Sequence, residues 1–274
     1  MINVDRREFV RLAGAALAAS TWIARATESE PAKPVAGHDM SATPPSWMGH
    51  EQIGMLVYPG FTALDFVGPQ YMFAGLMGAK VHLVASTMEP VTSDTHLAIM
   101  PTTTLAQAPR DLDILFVPGG GAGTIAAMHD ERLLAFIADR GSRAKWITSV
   151  CTGSLVLAAA GLLKGYRATS HWVARPLLQA AGATPVEARV VRDRNRVTGA
   201  GVSAGLDLGL TIVGMLRDQA YAETMQLLAE YAPEPPFNAG SPRTAPPATT
   251  ALLEDMFKDF SSQARQALEK RSIS

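Results

Sequence analysis

Trp146-Ile147-Thr148-Ser149-Val150-Cys151-Thr152-Gly153-Ser154 decides how this chain is read. Apolar and β-branched residues (Trp146, Ile147, Thr148, Val150) run into Cys151, the only cysteine in 274 residues. Gly153, Ser154 and a helix-forming run over 155–160 follow, closed by Gly161. The pattern predicts a buried strand, a sharp turn, and a helix that starts at the sulfur. Such a strained strand-to-helix turn exposes one reactive side chain, as in the nucleophile elbow of hydrolases. A thiol there meets the positive end of the helix dipole and unpaired backbone N–H groups, both of which favour the thiolate. A lone cysteine is otherwise a small buried hydrophobe. The strand–Cys–Thr–Gly–helix context favours the nucleophile.

Working outward, 113–117 is a buried strand that runs into Pro118-Gly119-Gly120-Gly121-Ala122-Gly123. This loop has neither the Lys-Ser/Thr of a phosphate loop nor the spacing of a dinucleotide fingerprint. Glycines there let backbone N–H groups approach a reacting atom; a tight turn without function is the alternative. The run 53–58 reads as another parallel strand, ended by Pro59-Gly60. A helix over 70–77 follows, with Pro69 in its first turn. Asp65 then lies on the loop or opening turn just past the carboxyl end of the first strand, the edge where open α/β sheets bind ligands. It could equally cap that helix.

Further strands are expected over 80–86, 185–191 and 196–198, with a small hairpin over 88–103 whose turn exposes His96. Helices are expected over 131–141, 173–181, from about Asp207 to Leu216, over 220–231 and, last, 248–267. Strands alternating with helices predict an α/β fold, a doubly wound, mostly parallel sheet flanked by helices.

A hydrophobic content of 47% and a charged content of 18% describe a globular chain with a sizeable core. The formal net charge of -1 gives no electrostatic reason to expect nucleic acid. One cysteine excludes an intrachain disulfide, and the six histidines are scattered without a His-Glu-x-x-His pair, so neither metal nor cofactor is expected. Near the N-terminus, Arg6-Arg7-Glu8-Phe9 precedes a short apolar run over 12–24 and Ala24-Arg25-Ala26. Residues 1–26 therefore read as a twin-arginine signal peptide, which implies export to a bacterial periplasm with no lasting membrane insertion after cleavage. Proline-rich 27–50 reads as a tether without regular structure. The folded domain is expected over 51–242, with a helical extension over 243–274 that either packs back or joins a dimer. One helix is too little for a helix-turn-helix DNA-binding unit.

Taken together, Tyr58-Pro-Gly-Phe-Thr-Ala-Leu-Asp65-Phe-Val-Gly-Pro69, Leu115-Phe-Val-Pro-Gly-Gly-Gly121 and Ser149-Val-Cys-Thr-Gly-Ser154 resemble the ThiJ/PfpI superfamily, with its class I glutamine amidotransferase-like sandwich. Ala168-Thr-Ser-His-Trp172, Gly201-Val-Ser-Ala-Gly-Leu-Asp207 and 226–237 extend the likeness, which points to the isonitrile hydratase branch. The resemblance implies a small-molecule substrate: Cys151 attacks an isonitrile carbon, Asp65 moves the proton, and water releases an N-substituted formamide from a thioimidate. It places Gly119, Gly120 and the Thr152 N–H around developing negative charge. The Thr152 hydroxyl either holds the attacking water or bonds to backbone. His171 is either a general base or, more often in such a setting, a structural hydrogen-bonding group. Asp207 is expected to support the pocket from beneath. Peptidase-type members carry His directly after the cysteine; Thr152 stands there, which argues against proteolysis. A homodimer is expected from the resemblance. The rival functions are a redox or stress protein whose thiol is oxidised, and a small-molecule-binding sensor-like module.

Overall fold

Strands covered by helices on both faces have no solvent side for polar residues, so they read as continuous apolar runs. Three such runs form the centre of the sheet, β1 (Gln52–Leu56), β6 (Ile114–Val117) and β7 (Trp146–Val150); between β1 and β6 the chain forms β2 (Lys80–Ala85), β3 (Val91–Thr92), β4 (Ala98–Ile99) and β5 (Thr103–Thr104). The remaining strands are β8 (Arg167–Ala168), β9 (Thr184–Pro185), β10 (Val190–Asp193) and β11 (Arg196–Gly199). In the computed structural model, which describes residues 43–272, seven of them form one sheet ordered β10-β11-β7-β6-β1-β2-β5. Every pair is parallel except β10 with β11. β3 and β4 make the expected hairpin, with His96 exposed at its turn.

The helices are α1 (Ala63–Ala74), α2 (Ala122–His129), α3 (Glu131–Gly141), α4 (Gly153–Ala159), α5 (Ala204–Leu216), α6 (Gln219–Leu228), α7 (Pro247–Met256) and α8 (Lys258–Ser272). They flank the sheet as two groups. α1 packs on α5 and α5 on α6; α2, α4 and α8 pack together with the 3-10 helix Arg175–Ala181. The doubly wound α/β architecture is present.

Several boundaries differ from expectation, each for a tertiary reason. α1 opens seven residues early, and Pro69 lies inside it rather than in its first turn. The cause is Asp94, from the β3–β4 turn, whose carboxylate accepts from Thr62 Oγ1 at 2.7 Å and from the Ala63 N–H at 3.3 Å. That supplies the cap no neighbouring residue supplies. α2 has no counterpart in the sequence reading, because glycine dominates its approach.

The expected signal peptide (1–26) and residues 27–42 of the tether lie outside the described residues. The last part of the tether is not loose. Trp47 donates its indole N–H to Asp218 at 2.8 Å and meets Tyr221 edge-on, and the Gly49 N–H reaches Met77 O at 2.9 Å. The 243–274 extension is likewise part of the body. It forms two helices broken at Phe257 rather than one, and Ala264, Ala267 and Leu268 are at most 2% exposed in the core. The compact unit therefore begins at Pro44 and takes in both C-terminal helices, beyond the expected 51–242.

Candidate active site

β7 delivers Cys151 to the carboxyl edge of the sheet, and the chain turns there with Cys151 at φ 57°, a left-handed conformation costly for a side-chain-bearing residue. The turn is over-determined by its bonds. The Cys151 N–H donates to Ala200 O at 2.7 Å, and its carbonyl accepts from Ser170 Oγ at 2.9 Å and Ser154 Oγ at 3.2 Å. Directly after the turn, a Cβ at Gly153 would come within 2.3 Å of the Val117 carbonyl, so only glycine fits. The expected elbow is present, with its thiol 6% exposed.

Asp65 occupies the first turn of α1, on the face that buries Phe66, Pro69, Met72 and Phe73, and is itself wholly buried. Its Oδ2 accepts the Gly119 N–H at 2.9 Å, while its Oδ1 is buried without a hydrogen bond. The Cys151 thiol lies beside this carboxyl. Burial pushes the Asp65 pKa up to about 8 against the pull of the Gly119 N–H. Burial, and then the Asp65 carboxyl, push the Cys151 thiol well above its ordinary value. Burial thus acts on the thiol against the helix dipole expected to favour the thiolate. A dipole is worth about 0.3–1 kcal/mol, whereas full desolvation moves a pKa by up to about 3–5 units. Both shifts favour the protonated forms of the pair.

Thr152 resolves in favour of backbone bonding. Its hydroxyl accepts the Gly120 N–H at 3.0 Å, donates to the Gly120 carbonyl at 3.0 Å, and meets Thr124 Oγ1 at 2.8 Å. With one hydrogen and two lone pairs these contacts saturate it, so the water-holding role expected for it finds no free capacity. Gly120 is corrected by the same bond: its N–H faces Thr152 rather than a reacting atom. Gly119 must be glycine, since a Cβ there would stand 2.6 Å from Thr152 N and 2.8 Å from Asp65 Oδ2. The glycine loop is therefore clamped twice, by Asp65 at Gly119 and by Thr152 at Gly120. Tyr58 backs the clamp, its hydroxyl donating to Pro118 O at 2.6 Å.

A cavity of about 430 Å³ opens over the elbow, lined among others by Gly120–Gly123, Cys151, Thr152, His171, Val202 and Phe257. His171 belongs to this wall, but through ring contacts: Trp172 at 5.9 Å and Phe257 at 5.8 Å between centroids. Burial lowers its pKa, which keeps it neutral. Asp207 is not beneath the pocket. It binds Arg189 at 2.6 Å and accepts from Tyr231 OH at 3.1 Å, with its side chain 31% exposed. Arg189 lines a separate cleft of about 470 Å³ beyond His171 and Val202. Thr124, Tyr58, Asp94, Ser170 and Phe257 were not legible as site residues. Only Tyr58 and Ser170 stood inside quoted motifs, and neither carried a role there. Among the described residues, no group of three or more His, Cys, Asp or Glu is arranged to hold a metal ion.

A model of the DJ-1/PfpI family matches residues 51–215. An isonitrile hydratase from Pseudomonas putida is 51% identical over 197 residues, 72% of this chain and 86% of that protein. The crystal structure of a ThiJ/PfpI family protein from Pseudomonas syringae superposes with a TM-score of 0.81 at 58% identity, covering 88% of this chain and 98% of that one. The transcriptional regulator GbdR of Pseudomonas aeruginosa is 31% identical over 181 residues, 62% of this chain but only 48% of its own length.

Proposed function

This chain belongs to the DJ-1/PfpI family, and we propose that within it the protein is an isonitrile hydratase that forms N-substituted formamides through a thioimidate on Cys151. The observation that carries this reading is the state of the elbow. A wholly buried carboxyl with one oxygen clamped by the Gly119 N–H stands beside the Cys151 thiol, burial favours its protonated form, and the Gly120 N–H is held by Thr152. Hydration of an isonitrile needs a proton moved to the attacked carbon, and this carboxyl is placed beside the sulfur to move it.

The chemistry balances without leaving a net buried charge. Asp65 Oδ1 gives its proton to the isonitrile carbon as Cys151 Sγ attacks that carbon. The carboxylate so formed takes the thiol proton, leaving R–N=CH–S–Cys151. Water then adds to the same carbon, the C–S bond breaks, the sulfur regains a proton, and R–NH–CHO departs. Export by the twin-arginine route and a periplasmic site of action are inferred from Arg6-Arg7 and Ala24-Arg25-Ala26.

The deciding experiment incubates purified protein with cyclohexyl isocyanide and quantifies the formamide, with Cys151→Ala alongside. Formamide that disappears in the variant supports the hydratase reading and its nucleophile. No formamide from wild type carrying a fully reduced thiol overturns it.

A further inference from the structure

Among the residues that line the Cys151 cavity, Phe257 alone lies outside the 51–215 stretch that carries the family match. It stands at the break between α7 and α8, and the chain holds it there firmly. The Phe257 N–H donates to Leu253 O at 3.0 Å, closing α7, and its carbonyl accepts the Ser261 N–H at 2.9 Å, opening α8. α8 is anchored by Ala264, Ala267 and Leu268, all in the core, and it packs on α2 and α4, the helices that follow the glycine loop and the elbow. The ring of Phe257 faces His171 at 5.8 Å and is met edge-on by Phe260 at 6.0 Å.

The rest of the wall offers little to set a size limit. Gly120, Gly121, Ala122 and Gly123 present backbone and one methyl group, and Cys151 and Thr152 are held by the bonds described above. His171 is fixed between Trp172 and Phe257. The largest apolar side chain in the lining is the Phe257 ring, backed by Phe260 and joined by the smaller Val202. The only carboxylate in the lining, Asp94, is engaged by Thr62 and the Ala63 N–H.

We propose that Phe257 is the specificity-determining residue of this site, its ring limiting the bulk of the uncharged substituent that can sit over Cys151. The inference deepens the isonitrile reading and, for its kinetic form, rests on it. The substituent on the isonitrile nitrogen points away from the attacked carbon and into the cavity that Phe257 lines together with Cys151. Removing a ring from that wall makes room for one on the substrate. Pocket contacts of one methylene already discriminate by about 10- to 200-fold.

The test uses the full chain with Phe257→Ala and, to retain the apolar anchor, Phe257→Leu. Steady-state rates are compared for cyclohexyl isocyanide and the bulkier 1-adamantyl isocyanide. In Phe257→Ala the ratio of kcat/KM, bulky over cyclohexyl, should rise about tenfold or more, carried by KM, with Phe257→Leu in between. Parallel losses on both substrates, with the ratio unchanged in both variants, would overturn the proposal. A second arm needs no turnover: Cys151 is the sole thiol, so its alkylation by N-ethylmaleimide and by N-(1-pyrenyl)maleimide reads access directly. Phe257→Ala should accelerate the pyrenyl reagent selectively, and an unchanged ratio of the two rates would overturn the wall assignment. If wild type hydrates neither isonitrile, the functional reading fails, and the alkylation pair alone decides the role of Phe257.

Discussion

Asp65 and Asp207 occupy the first turns of α1 and α5, two helices packed against each other, yet they have become different chemical objects. Asp65 is wholly buried, holds one N–H, leaves one oxygen unbonded beside a thiol, and keeps its proton up to about pH 8. Asp207 reaches the surface and is neutralised by Arg189 and Tyr231. A carboxylate at a helix start is favoured by the dipole in both places, and the dipole is the smaller influence. Burial and the partner decide whether the group is a proton donor or one end of an ion pair.

The largest test of that contrast is catalytic. Asp65→Asn should lower formamide formation by about two to four orders of magnitude, the span of a general acid, while Asp207→Asn should stay within about threefold of wild type. Equal losses in a steady-state assay would break the contrast.

A pH series sharpens it further. If neutral Asp65 is the donor, kcat/KM should fall as pH rises through about 8, where Asp65 loses its proton, and that limb should be missing from the residual activity of Asp65→Asn. A rise in activity through the same range would show that the ionised pair is the working form.

Stability carries the same signature. The folded state keeps the Asp65 proton up to about 8, whereas the unfolded chain releases it near 3.8, so folding binds the extra proton between those values. Stability from this group is full below about pH 4 and is lost as pH rises through about 8, a swing on the order of a few kcal/mol. Urea unfolding across that range should show the decline in wild type and a shallower one in Asp65→Asn.

The smallest effects separate the clamp from the rim. Thr152→Val strips the Gly120 N–H and carbonyl of their partner and should cost about 1–3 kcal/mol. Arg189→Ala removes a half-exposed ion pair and should cost under about 1 kcal/mol in the same melts.

Much of this was legible along the chain. The runs over 53–58, 113–117 and 145–150 are local facts of composition, and a strand buried on both faces has no other way to be written. The elbow was legible because a strand, a cysteine, two small residues and a helix lie consecutively. Asp65 could be put at the ligand-binding edge because it closely follows a strand end. The hydroxyl of Thr152, the N–H of Gly120 and the surroundings of Asp207 were not legible. Each depends on what stands opposite: Gly120 and Thr124 for Thr152, Arg189 and Tyr231 for Asp207. Phe257 was invisible as a site residue because more than a hundred positions separate it from the cysteine, and only the docking of α8 closes that distance.

The sequence by itself determined the layered α/β architecture, the family and the strand–turn–helix elbow that carries the one cysteine, because periodicity and consecutive motifs survive any packing. The tertiary structure alone decided the burial that shifts the thiol and its carboxyl neighbour, the double clamp on the glycine loop, and the docking of Phe257 into the lining of the Cys151 cavity. Those are properties of desolvation and of contacts between distant segments, and neither exists until the chain has closed around them.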